Sequence, residues 1–342
     1  MLTTLLMLLS EVKQILPLEN ALTFGLAIFA LSWVRPRRIV SLPDRGFRHA
    51  VLRWTGTAGA VAIVAAATLA SALNVGVYDA SGYDGWWRRP APLVVATIVI
   101  VIAALVLRRV PVPAPGERAI TPLRAWNTFA PRVSLWIAGI AASLALLTAT
   151  WQIASATTAP ENSQFFGHVP DYSPLPIYTN FNNGFGYVSG SGWPNHLATV
   201  IVILLAALTL VLVLRTDANR PILARSTAPS VRPDRESTAR VFTLLMLAGL
   251  TATLGAVWMH VGSAGTSLVG IDEYWVSENV SNTRLFIDGG YSAIARPMNL
   301  AGYALQGAGV ALALRIAVDT VRAALATRTR SDVDVEFAGS AR

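Results

Sequence analysis

The chain has 342 residues, of which 54% are hydrophobic and 13% charged, whereas a soluble domain carries about a quarter charged residues. It has no cysteine, which excludes disulfides, thiolate metal sites and a cysteine nucleophile. The net charge of +8 sits in short basic runs between apolar stretches, a pattern of membrane topology and not of nucleic-acid binding.

Lys13 is the sole lysine among the 27 basic residues. A retinal pigment, which needs a lysine late in the chain for its Schiff base, is thereby excluded. The preference for arginine points to a GC-rich bacterial genome. Residues 1–16 lack the basic start and small-residue cleavage site of a signal peptide and are expected to stay in the mature protein. Within them Leu5, Leu9, Val12 and Leu16 recur at helical spacing around Glu11 and Lys13, which predicts an amphipathic segment at the membrane interface.

Seven stretches are long and apolar enough to cross a bilayer, at about 17–34, 51–77, 91–107, 133–153, 197–214, 241–261 and 300–318. The expected fold class is therefore an all-α polytopic membrane protein, a seven-span helical bundle over 17–327. Basic residues accumulate in short cytoplasmic loops. An outside N-terminus and a cytoplasmic C-terminus place 22 of the 27 basic residues inside, leaving Lys13, Arg88, Arg89, Arg284 and Arg296 outside. The expected location is a bacterial plasma membrane, with the lipid bilayer as the first partner and no nucleic acid.

A motif recurs: 89–108 (RPAPL to ALVLR) and 296–315 (RPMNL to ALALR) agree at seven of 20 positions. Duplication and convergent helix punctuation both account for it, proline near a helix start being cheap because its missing N–H has no intrahelical partner there. The Ala- and Gly-rich stretches in the second and last spans suggest the interior of the bundle. Gln306, among Gly302, Gly307 and Gly309, is the deepest polar group of the last span. No carboxylate lies near a midplane, which disfavours an ion-coupled pump.

The segments at 154–196 and 262–299 are long, and with 78–90 they hold seven of the eight tyrosines. They are expected to form an ordered extracytoplasmic cap, because flexible linkers carry few large rings. Tyrosine suits a half-wet binding surface. Tyr172, Tyr178, Phe181, Tyr187, Tyr274 and Trp275 are the candidate aromatic wall of a ligand site, and Asp171, Asp272 and Glu273 its charge. That composition suits a small cationic or polyhydroxylated ligand. His168, Asp171, His196 and His260 have no metal-type spacing, so no metal and no cofactor is expected. No catalytic motif stands out. The chain therefore reads as a binding, sensing or accessory subunit, with another membrane protein as its candidate partner; a permease without an embedded charge relay and a membrane hydrolase or transferase are the alternatives. The polar tail 328–342 is expected to be disordered.

Overall fold

A computed structural model describes residues 19–34, 38–42, 46–76, 87–110, 112–119, 122–155, 177–181, 184–188, 193–224, 228–266, 269–272, 284–287 and 291–340. Among them are seven α-helices: α1 (Glu19–Leu31), α2 (Phe47–Gly76), α3 (Ala91–Arg108), α4 (Arg132–Ser155), α5 (Trp193–Ala218), α6 (Ala228–Thr266) and α7 (Ser292–Ser340). Each coincides with one apolar stretch. Five of them, α2 to α6, are long and apolar enough to cross a membrane.

The helices alternate in direction. Thus α3 runs against α6, with Arg89 beside His260 at one end and Leu107 beside Phe242 at the other. Likewise α7 runs against α6, with Asn299 at Gly262 and Gly309 at Ala252. One end of the bundle receives the long α4–α5 and α6–α7 connections. Each of these carries a two-stranded antiparallel hairpin, β1 (Ile177–Phe181) with β2 (Gly184–Val188) and β3 (Val269–Asp272) with β4 (Arg284–Ile287). This is called the hairpin end below. The other, where α3, α5 and the packed part of α7 finish among arginines, is the arginine end. Strand pairing in these two connections is not among the expectations from sequence.

Outward faces identify the solvent. Ile98, Ile102 and Leu105 of α3, Trp136, Ile140, Leu144 and Leu147 of α4, and Ile201, Leu204, Leu208 and Leu212 of α5 are all exposed. They recur every three or four residues, so each helix turns a continuous apolar stripe outward. A soluble monomer rarely exposes apolar patches beyond a few hundred Å², whereas hydrocarbon accepts such a surface without cost. The architecture is that of an integral membrane protein.

The enclosed helix is α6: 83% of its apolar stretch is buried, against 28% in α4. Residues 241 to 250 are buried without interruption, as expected of a helix apolar on every side. This corrects the expectation that α2 and α7 form the interior. They flank α6, and their small residues let the backbones approach it. A methyl group at Gly255 would lie 2.7 Å from Gln306 Cα, and one at Gly302 would lie 2.8 Å from Gly255 O, so this part of the α6–α7 seam admits only glycine.

Two further departures concern α7. Its helix begins at Ser292, which puts Pro297 inside it rather than at its start. Its backbone continues helical to Ser340, through most of the tail expected to be disordered. Extending a packed helix costs far less than nucleating one. The repeat partners α3 and α7 run in the same direction, but in different surroundings: Arg89 is buried and Arg296 exposed, Arg108 exposed and Arg315 buried. The amphipathic segment 1–16 lies outside the described residues.

Candidate ligand cavity

Four helices leave a cavity of about 210 Å³ at the hairpin end. Ala67 and Ala70 of α2 and Pro92 of α3 form one side, and Ala256, Met259, His260 and Ser263 of α6 the opposite one. Asn299, Tyr303 and Gln306 of α7 complete it, and Arg88 and Arg89 enter from the turn before α3. The small side chains of α2 create the space. The polar groups come from the other three elements.

Both arginines are buried, each with 8% of its surface exposed. They stand at the start of α3, where the first backbone N–H groups carry the positive end of the helix dipole. Arg89 Nη2 donates to His260 Nε2 at 3.0 Å. A guanidinium only donates, so Nε2 accepts and the imidazole is neutral with its proton on Nδ1.

Asn299 is fixed by Nδ2 donating to Met259 O at 2.7 Å. Gln306 differs. Its side chain is 7% exposed, and Oε1 has no hydrogen-bond partner among the described residues. A buried acceptor left without a donor costs about 1–3 kcal/mol, so this oxygen is unfavourable for folding unless something enters the cavity. Level with it, Gly255 of α6 packs on the α7 backbone at Gly302 and Gln306, and Ile63, Leu93 and Leu254 of the neighbouring helix segments belong to the buried core.

None of the residues anticipated as a site is among the described residues of this lining. Tyr178 stands opposite Tyr187 in the β1–β2 register, Phe181 opposite Gly184, and Asp272 opposite Arg284 in β3–β4. Asp171, Tyr172, Glu273, Tyr274 and Trp275 lie outside the described residues, as does His168. Among the described residues, no three His, Asp or Glu side chains come together to hold a metal. Gln306 and His260 were visible in the sequence as polar residues within or ending spans. Arg89 and His260, however, are 171 positions apart, and no local spacing signals their contact.

The arginine end is built differently. Arg48 of α2 forks onto Asp217 of α5, with Nη2 to Oδ1 at 2.9 Å and Nη1 to Oδ2 at 3.3 Å, and Nη1 also meets Thr238 Oγ1 of α6 at 2.7 Å. Arg220 donates to Leu107 O and Val110 O at the end of α3. Arg235 donates to Ala218 O and Arg220 O at the end of α5. These groups fasten α2, α3, α5 and α6 to one another. Comparison with protein-family models, with curated proteins and with solved structures finds no match for this chain.

Proposed function

We propose that the chain is a multi-pass membrane binding protein, of the sensing or accessory kind, whose ligand site is the cavity at the hairpin end. The observation that carries this reading is Gln306 Oε1, buried without a partner in a polar pocket inside an apolar bundle. The volume is below the roughly 300–1,000 Å³ of drug-sized sites, which suits a small molecule or a head group. The ligand carries a hydrogen-bond donor towards Gln306 Oε1. The aromatic and acidic composition of the two long connections suits a cationic or polyhydroxylated ligand.

A permease needs the cavity to continue through the bundle, and the backbone contact of α6 with α7 at Gln306 speaks against that route. All seven helices span the membrane in this reading. The arginine distribution supports a reading in which the N-terminus and hairpin end lie outside a bacterial plasma membrane and the arginine end in the cytoplasm. Cysteine at Ser226 in this cysteine-free chain is then expected to resist an impermeant thiol reagent on intact cells; labelling before lysis reverses the orientation.

The binding reading is tested with Gln306→Leu and native mass spectrometry after gentle detergent extraction. The wild type is expected to carry a small hydrogen-bond-donating molecule that the variant lacks, while the variant melts at the same or a higher temperature, because an unsatisfied buried acceptor has been removed. Equal retention of the molecule by both proteins, or a wild type that carries none, defeats the proposal.

A further inference from the structure

A second cavity, of about 380 Å³, lies between the ends of α3 and α5 on the arginine side, separate from the first. Its floor is apolar, formed by Leu107, Val213 and Phe242. Its rim is polar and cationic, with Arg108, Asn219 and Arg220. The cleft opens between two helices whose exposed faces carry Ile102 and Leu105 on one side and Leu208 and Leu212 on the other. Its apolar part therefore continues into the surface that meets hydrocarbon.

The charge at the rim is not cancelled locally. Asp217 is the acidic residue lining the cleft, and both its oxygens are engaged by Arg48. Arg220 uses Nη1 and Nη2 on the carbonyls of Leu107 and Val110. That fixes the guanidinium and answers the negative end of α3, so the rim presents donors rather than bare carbonyls. Arg108 is exposed at the last turn of α3 and has no ion-pair partner among the described residues.

We infer that this cleft binds one anionic phospholipid, its phosphate at the rim against Arg108 and Arg220 and the first part of an acyl chain over Leu107 and Val213. A soluble anion would use the rim and leave the apolar floor wet; a lipid covers both. Guanidinium groups suit the phosphate because their donors match its oxygens in pairs. Basic residues at this depth attract anionic head groups and are weakened by salt.

The experiment uses the full chain, delipidated in neutral detergent and titrated with phosphatidylglycerol or phosphatidylcholine, with bound lipid counted by native mass spectrometry. The wild type is expected to hold one phosphatidylglycerol in preference to phosphatidylcholine. Arg108→Gln should lower that preference about fivefold with an unchanged melting temperature. Val213→Trp, which fills the floor, should abolish retention of either lipid, and Arg132→Gln, at the same end outside the cleft, should change nothing. Equal binding of the two lipids by the wild type overturns the inference. So does a loss in Arg132→Gln as large as in Arg108→Gln, which would mean diffuse attraction, or displacement of the lipid by millimolar inorganic phosphate, which would mean a head-group site that does not use the floor.

Discussion

Both ends of the bundle bury arginines, yet the two sets do opposite things. At the arginine end Arg48, Arg220 and Arg235 close on a carboxylate and on the last carbonyls of α3 and α5. At the hairpin end Arg88 and Arg89 border a cavity. What stands opposite decides the role. A helix C-terminus offers four carbonyls without intrahelical partners, which a guanidinium fork satisfies and thereby joins to its own helix. The start of α3 offers N–H groups instead, which repel a cation and suit an anion. The first end is thus fastened by its charges, whereas the second keeps a cavity in which Gln306 Oε1 has no hydrogen-bond partner among the described residues.

The sharpest way to break this contrast is to remove one partner at the fastened end. Asp217→Ala leaves the half-buried Arg48 without its carboxylate, and stranding a charge of this kind costs about 3 kcal/mol or more. The melting temperature in detergent is expected to fall by several degrees, with Asp217→Asn in between because it keeps one acceptor. Gln306→Leu, the corresponding loss of a buried polar group at the hairpin end, is expected to leave stability unchanged or higher. Equal falls in Asp217→Ala and Gln306→Leu would show that the two ends are held alike.

The next effect concerns the wall between them. Gly255→Ala places a methyl group 2.7 Å from Gln306 Cα and 2.7 Å from Gly302 O. These atoms are backbone and cannot swing aside, so about 1–3 kcal/mol of strain is expected. Gly139 on the exposed face of α4 has nothing within 4 Å of such a methyl group. Gly139→Ala is expected to stabilise slightly, by at most about 1 kcal/mol, since glycine loses more conformational freedom on folding. If the two substitutions prove equivalent in a thermal melt, the seam is not the tight contact described.

These contrasts also show what was legible in the sequence. The positions of α1 to α5 were plain, because run length and hydropathy are what a bilayer reads and loops between spans carry the arginines. The extents of α6 and α7 were not: α6 begins at Ala228, well before its apolar stretch, and its polar start is held by Arg48 through Thr238. Hydropathy reports only the segment that lipid or core demands, and a helix continues wherever packing sustains it. The identity of the central helix was hidden for another reason. Enclosure depends on neighbours, and α6 resembles its fellows in composition. The aromatic connections drew attention because composition is local, whereas the cavity unites Arg89 of one helix start with His260 and Gln306 of two others. Only the packing of α3, α6 and α7 brings them together.

The smallest expected effect lies at the edge of the hairpin end, where Tyr291 precedes α7. Its hydroxyl donates to Val261 O at 3.1 Å, and its ring meets Trp151 edge to face at 5.0 Å. Tyr291→Phe keeps the ring contact and loses the hydrogen bond, which is expected to cost about 0.5–1.5 kcal/mol. The difference depends on pH in a definite direction. Burial raises the Tyr291 pKa above its ordinary value of 10.0, against a smaller lowering by the hydrogen bond with Gln152. The unfolded chain therefore gives up this proton first as the solution becomes alkaline. Because the native state then binds more protons than the unfolded state, stability falls with rising pH. The contribution of the hydroxyl is complete below about pH 10 and declines as pH rises through the folded-state value. Phenylalanine has no proton to lose, so the melting temperatures of wild type and Tyr291→Phe are expected to converge between pH 9 and about pH 11. Melting curves that stay parallel over that interval would show that the hydroxyl is solvated, and that the hairpin end is open at α7 as well as at its cavity.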